Sequence, residues 1–114
     1  LMPHQLKRLA RRAALGLGRT GSIGSNFSGD IFLAFSTANA TAAVAQEIVQ
    51  LTMVPNEKLD PIFDATVSAV EEAIINALVA AETMIGQDDH KLIAIPHDRL
   101  REVMKKYGRL MNDE

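Results

Sequence analysis

Ser28 and Asp30 are the residues of this chain whose types and spacing best suit chemistry. They close the run Gly21-Ser22-Ile23-Gly24-Ser25-Asn26-Phe27-Ser28-Gly29-Asp30, which feeds into Ile31-Phe32-Leu33-Ala34-Phe35-Ser36-Thr37-Ala38-Asn39. Glycine, serine and asparagine make a loop that bends at low cost and offers hydroxyls, amides and approachable backbone N–H groups. A spacing of two at the mouth of a strand points both side chains to one side of the chain. A hydroxyl beside a carboxylate relays a proton or orients an amine. The plainer reading is a Ser/Gly turn capped by an aspartate. A serine nucleophile would also need a nearby base, and none is obvious in the sequence.

Other constellations carry less chemistry. Gly16-Leu17-Gly18-Arg19-Thr20-Gly21 has the spacing of a dinucleotide motif. That motif works with a strand before it and a helix N-terminus after it, whereas here a helix precedes and a serine-rich loop follows. Lys7, Arg8, Arg11, Arg12 and Arg19 gather on the first helix, either to bind phosphate or an acidic partner or as a solvated, salt-bridged face. No aromatic residue interleaves with them for stacking on a base. His4, His90 and His97 are scattered, and Asp88-Asp89-His90 reads as a polar turn rather than a metal site. Neither metal nor organic cofactor is expected. Asn26-Phe27-Ser28 and Asn39-Ala40-Thr41 satisfy the glycosylation sequon but are discounted without a visible secretory signal. Glu71, Glu72 and Asn76 lie on or beside an apolar helix face, and Asn76 reads as a buried polar anchor.

The elements that must position Ser28 and Asp30 follow from periodicity. Leu6, Leu9, Ala10, Ala13 and Leu17 recur at helical spacing with Pro3 in the first turn, which predicts an amphipathic helix over 4–15 that Gly16 and Gly18 stop. Residues 31–38 read as a strand, and Glu47–Val54 as a second; Ile31 to Phe35 is apolar at every position, which suits burial on both faces of a larger sheet. Residues 41–46 are ambiguous between loop and a turn of helix. A long helix runs from Asp60, its N-cap, through Pro61 to about Ile85, with Leu59, Ile62, Phe63, Thr66, Val67, Val70, Ile74, Ala77, Leu78 and Ala81 as its apolar face. Leu92–Ile95 is a short extended piece. Pro96 opens a last helix that Gly108 ends, and the tail Asn112-Asp113-Glu114 is frayed. The order is α-β-β-α-α. Two strands make a marginal sheet, so an α+β domain incomplete in this chain is the simplest account.

Composition bounds the alternatives. One domain over 1–114 is the default at 114 residues, and 47% hydrophobic with 23% charged residues is ordinary for a folded chain. A net charge of −2 gives no global attraction to nucleic acid or an anionic membrane. With no cysteine, disulfides and thiolate chemistry within these residues are excluded. Leu1 ahead of Met2 leaves two readings, a tag residue before a true start or a chain cut from something longer, and the second is preferred. No signal-peptide apolar region is visible near the start, which favours a cytoplasmic location.

Taken in order, several segments resemble the self-processing D-aminopeptidase/β-aminopeptidase family. They are Leu1-Met2-Pro3-His4-Gln5-Leu6-Lys7-Arg8-Leu9-Ala10-Arg11-Arg12, Gly18-Arg19-Thr20-Gly21, Ser28 through Asn39, Leu59-Asp60-Pro61, Glu71 through Met84, and Pro96-His97-Asp98-Arg99-Leu100. The resemblance implies an N-terminal-nucleophile-like hydrolase with an αββα sandwich, processed into an α chain and a smaller β chain that begins with the catalytic serine. It places that serine roughly ten residues upstream of Leu1, so that the present chain is most of the β chain without its nucleophile strand. Ser28 then hydrogen-bonds the nucleophile and its amine, and Asp30 orients Ser28 or holds the substrate's ammonium group. Backbone N–H groups from Gly24 to Gly29 help shape the pocket. The implied partners are the α chain, a small peptide, amide or ester substrate, and further αβ units. The rival is a non-catalytic helical–sheet module that binds a protein partner through the long helix or the basic one.

Overall fold

In a computed structural model, residues 1–44 and 48–110 are described. They form three helices and a small hairpin: α1 (Pro3–Arg19), α2 (Asp60–Ala80), β1 (Met84–Ile85), β2 (Lys91–Leu92) and α3 (His97–Lys106). The chain divides into two compact units, Leu1–Ile74 and Ile75–Glu114.

In the first unit, α1 begins with Pro3 and runs past the expected stop to Arg19. Gly16 does not end the helix; it lets another element approach. A Cβ there would meet the Val67 carbonyl oxygen at 2.6 Å and Val70 Cβ at 2.8 Å, both on α2. Termination falls at Thr20, whose hydroxyl and N–H both donate to the Leu17 carbonyl, at 2.7 and 3.1 Å. Gly21 follows with φ +97, the left-handed position that glycine occupies without strain.

The start of α2 also differs by one residue. The Phe63 N–H donates to the Leu59 carbonyl at 2.9 Å, so Leu59 stands at the cap and Asp60 in the first turn. There its carboxylate faces the positive end of the helix dipole. Leu59, Phe63 and Val67 from this helix are buried together with Ala13 of α1. Phe63 also carries two guanidinium groups, with Arg12 3.4 Å and Arg8 5.1 Å from the ring centroid. Arg19 pairs with Glu71 at 3.2 Å. Much of the basic cluster is thus engaged within the unit.

The two expected strands form no ladder among the described residues, whose one sheet is β1 with β2. Residue 47, the expected start of the second strand, lies outside the described residues, as do 45–46 and 111–114. Along 31–35, Ile31, Leu33 and Phe35 are 92%, 87% and 77% exposed while Phe32 is 37% exposed and Ala34 is half-buried. That alternation has the period of an extended segment. Among the described residues one face of the segment is therefore bare. Phe32 and Ala34 share an open groove of about 360 Å³ with Leu9 and Ala13 of α1 and Val70 of α2.

In the second unit, the expected long helix stops at Ala80, and Met84–Ile85 instead pair antiparallel with Lys91–Leu92. The Gly86 N–H donates to the His90 carbonyl at 2.8 Å across the turn. His97 Nε2 lies 2.9 Å from the Val79 carbonyl oxygen, and the Ala94 N–H donates to Thr83 Oγ1 at 3.1 Å. Asn76 is exposed, as are Ala77, Leu78 and Ala81. Among the described residues nothing covers Asn76, and the buried positions of α2 are Phe63 and Val67. The end of α3 is a Schellman motif: Arg109 N–H donates to Met104 O at 2.8 Å, Gly108 N–H to Lys105 O at 3.1 Å, and Gly108 has φ +61.

Candidate active site

Local turns set the Ser28–Asp30 pair. After Gly21, Gly24 adopts φ +60 and its N–H donates to Ser22 Oγ at 3.3 Å. The Ser28 N–H then donates to the Ser25 carbonyl at 2.8 Å, closing a turn over Asn26 and Phe27. That bond uses one of the backbone N–H groups between Gly24 and Gly29 within the loop itself. The next two residues bring the chemistry together: the Ser28 hydroxyl donates to Asp30 Oδ2. Both residues are exposed.

This arrangement has a definite polarity. A serine hydroxyl has one hydrogen and two lone pairs, and here the hydrogen is committed to Asp30. Ser28 Oγ is therefore set up to accept a hydrogen bond from an incoming hydroxyl or ammonium group rather than to give one. Asp30 has a second oxygen, Oδ1, with which to receive a cation. Such a pair orients and holds a reacting group. For Ser28 to act as nucleophile, its proton would have to pass to a carboxylate, which is a weak base at neutral pH.

The other candidates do not join this pair. Gly16 and Gly18 lie inside α1, so the dinucleotide spacing has no strand before it and no helix N-terminus after it. His4, His90 and His97 are each exposed. Among the described residues no three His, Cys, Asp or Glu side chains converge. No helix of the described residues is long and apolar enough to cross a membrane.

Two amides outside the candidate set frame the site's unit. Gln5 is completely buried; its Oε1 accepts from the Met2 N–H at 3.0 Å, and its Nε2 donates to Val54 O at 2.7 Å and Asn56 Oδ1 at 3.0 Å. Asn39 exchanges two bonds with the Thr52 backbone, Nδ2 to O and N–H to Oδ1, both at 3.0 Å. The sequence holds a partial signal for Gln5, since it lies three residues past the helix cap, where a capping glutamine reaches back. Nothing local marks Asn39.

The model of peptidase family S58 matches residues 1–92. The chain belongs to peptidase family S58. It is 53% identical over 111 residues to the β-peptidyl aminopeptidase BapA of Sphingosinicella microcystinivorans, covering 96% of this chain and 28% of that protein. Among solved structures it resembles the L-aminopeptidase D-Ala-esterase/amidase of Ochrobactrum anthropi, with 52% identity and a TM-score of 0.87 over 97% of this chain and 32% of the other. A β-aminopeptidase from Burkholderia sp. gives 38% identity and a TM-score of 0.82, over 95% and 32%. The Ochrobactrum enzyme is described as a serine aminopeptidase with a variant of the Ntn-hydrolase fold. The S58 chain is an α+β portion of that fold, and it spans about a third or less of each relative. This accounts for the unpaired extended segment and for the small number of strands among the described residues.

Proposed function

We propose that this chain is the β-chain portion of a serine aminopeptidase that removes N-terminal residues from small peptides, amides or esters through an acyl-enzyme. The observation that carries the reading is the Ser28 hydroxyl committed to Asp30, in a chain of peptidase family S58. The attacking serine precedes Leu1 in the whole protein and is the first residue of the processed β chain. Its hydroxyl oxygen bonds the substrate carbonyl carbon while its proton passes to the freed α-amine, which then protonates the leaving amine or alcohol. Water, deprotonated by the same amine, hydrolyses the ester and restores the serine.

In this scheme Ser28 Oγ accepts a hydrogen bond from an N–H of the nucleophile's α-amine, which aims the amine lone pair at the nucleophile's hydroxyl proton. Asp30 holds Ser28 in that orientation and takes the substrate's ammonium group by a charge-assisted bond. The α chain of the same precursor covers the bare face of Ile31, Leu33 and Phe35 and supplies further substrate contacts. The names of the relatives leave α- and β-residue substrates both in range. The αβ units assemble further. These details rest on the family membership together with the Ser28–Asp30 geometry.

The test uses the complete, processed protein and an alanine p-nitroanilide. Ser28→Ala lowers kcat by about 10²-fold or more, the range of a lost orienting and proton-handling group. Wild-type turnover in that variant removes Ser28 from the mechanism. Residues 1–114 alone hydrolyse nothing, and measured turnover by that fragment overturns the assignment of the nucleophile.

A further inference from the structure

We propose that Gln5 and Asn39 are positioning residues for the reaction: their side-chain amides grip one stretch, Thr52–Asn56, at its two ends and so hold the backbone entering α1 at Met2 in register with the segment leaving Asp30. The inference rests on the proposed function, in which the attacking serine lies on the chain that runs into Leu1. Ser28 and Asp30 lie on the other gripped segment, eleven and nine residues before Asn39. The two halves of the reacting constellation therefore reach a common rail through these amides.

The chemistry of Gln5 shows why an amide stands there. Helix capping alone would be served equally well by glutamate, whose carboxylate accepts from the Met2 N–H and complements the helix N-terminus. The Val54 carbonyl and Asn56 Oδ1 are both acceptors, at 2.7 and 3.0 Å, and only the Nε2 hydrogens satisfy them. Gln5 is 0% exposed, so its own amide has no access to water and depends on these partners, of which Val54 is half-buried and Asn56 exposed. The bonds reach 49 and 51 residues along the chain. They tie the first turn of α1 to the residues that lead through a short 3-10 turn (Asn56–Lys58) into buried Leu59.

Asn39 does the same work at the other end. Its amide matches the Thr52 peptide group for group, giving an N–H to the carbonyl and accepting the N–H. A neighbouring strand residue pairs in this way, and the match specifies register: a slip of one residue turns the Thr52 groups to the opposite edge. A turn anchors Asn39 itself, with the Ala42 N–H donating to its carbonyl at 2.9 Å. The 31–36 segment, which has no ladder among the described residues, is thus located by a side chain.

The experiment uses the complete processed protein with Gln5→Met, Gln5→Glu, Asn39→Leu and Asn39→Asp. Gln5→Met keeps the shape and loses all three bonds; Gln5→Glu keeps the Met2 bond and loses the two donated ones. Asn39→Asp likewise keeps the Thr52 N–H bond alone. A misplacement of about 1 Å costs on the order of 10²-fold in rate. The expected result is a kcat lowered by about tenfold to 10²-fold in each folded variant. KM for the alanine p-nitroanilide stays within twofold of wild type, whereas Asp30→Asn raises it. Amide hydrogen exchange accelerates at Met2 in Gln5→Met and at Thr52 in Asn39→Leu, the variants in which those N–H groups lose their acceptors. Folded variants with wild-type kcat overturn the proposal, as does unchanged exchange at both amides. If Gln5→Met does not fold, Gln5→Glu and the less buried Asn39→Asp decide the matter by kcat and KM, since each loses the donated amide bonds. A wild-type protein without aminopeptidase turnover refutes the proposed function and with it the catalytic part of this inference. Exchange at Met2 and Thr52 then reports on the grip alone.

Discussion

Replacing Gly16 and Gly18 separately by alanine is expected to change stability in opposite directions, although the two lie one residue apart in the same helix. At Gly16 the added methyl would sit 2.6 Å from the Val67 carbonyl oxygen, 2.8 Å from Val70 Cβ and 3.0 Å from Val70 Cγ1. The first of these contacts is to helix backbone, which has no rotamer to change, so α1 and α2 must move apart. Separation would admit water to Ala13 on α1 and to Phe63 and Val67 on α2, which are buried. Overpacking of this kind costs about 1–3 kcal/mol. The better helix propensity of alanine returns roughly 0.5–1 kcal/mol. The net expectation for Gly16→Ala is a loss of about 1–2 kcal/mol. At Gly18 the methyl meets nothing within 4 Å, and only the propensity gain of roughly 0.5 kcal/mol remains. Urea unfolding of the complete protein, comparing midpoints at unchanged slope, measures both. Gly16→Ala as stable as wild type, or less harmful than Gly18→Ala, would refute the close-approach account of Gly16.

Two further outcomes follow from contacts at single residues. In a double-mutant cycle of Arg12→Met and Phe63→Leu, the coupling free energy should be about 0.5–1 kcal/mol, because the guanidinium carbon lies 3.4 Å from the ring centroid of a buried phenylalanine. Strict additivity would show that the stacking is incidental. Gly108→Ala should strain the left-handed cap at φ +61 by about 1–2 kcal/mol. The amides at 108 and 109, which close the end of α3 on Lys105 and Met104, should then exchange faster, while exchange in α1 stays unchanged.

Legibility in the sequence followed how local each determinant is. The apolar stripes of α1 and of the first half of α2 were readable because residues three and four apart share a helix face. Gly108 was readable as a terminator because its cap is built from neighbouring residues. Gly16 was misleading for the opposite reason: glycine in a helical pattern signals either an end or a close approach, and the partner helix lies some fifty positions away. The apolar run from Ile31 to Phe35 shows the same limit. Its composition suits burial on both faces, yet Ile31, Leu33 and Phe35 are exposed, since pairing and covering depend on chain not adjacent in sequence. The contact between Ser28 and Asp30 could be anticipated from their spacing because it spans two residues. Gln5 could not, because its donated bonds reach Val54 and Asn56.

That contrast bears on how Ser28 and Asp30 are held. Ser28 and Asp30 are both exposed, and the hydrogen bond between them fixes each relative to the other but not to the rest of the molecule. A loop rich in glycine and serine cannot supply that second constraint, because its backbone has many conformations of similar energy. The constraint has to come from the segment that follows. Phe32 and Ala34 lie in the groove with Leu9, Ala13 and Val70, and Asn39 locks the far end to Thr52. Apolar contact sets which face of the segment turns inward, and the amide sets its register along the chain. Neither suffices alone: apolar packing tolerates a slide of two residues that keeps the same face inward, whereas the paired Thr52 bonds do not. The placement of the Ser28 hydroxyl therefore depends on a side chain eleven positions downstream, a dependence that the spacing of Ser28 and Asp30 does not reveal.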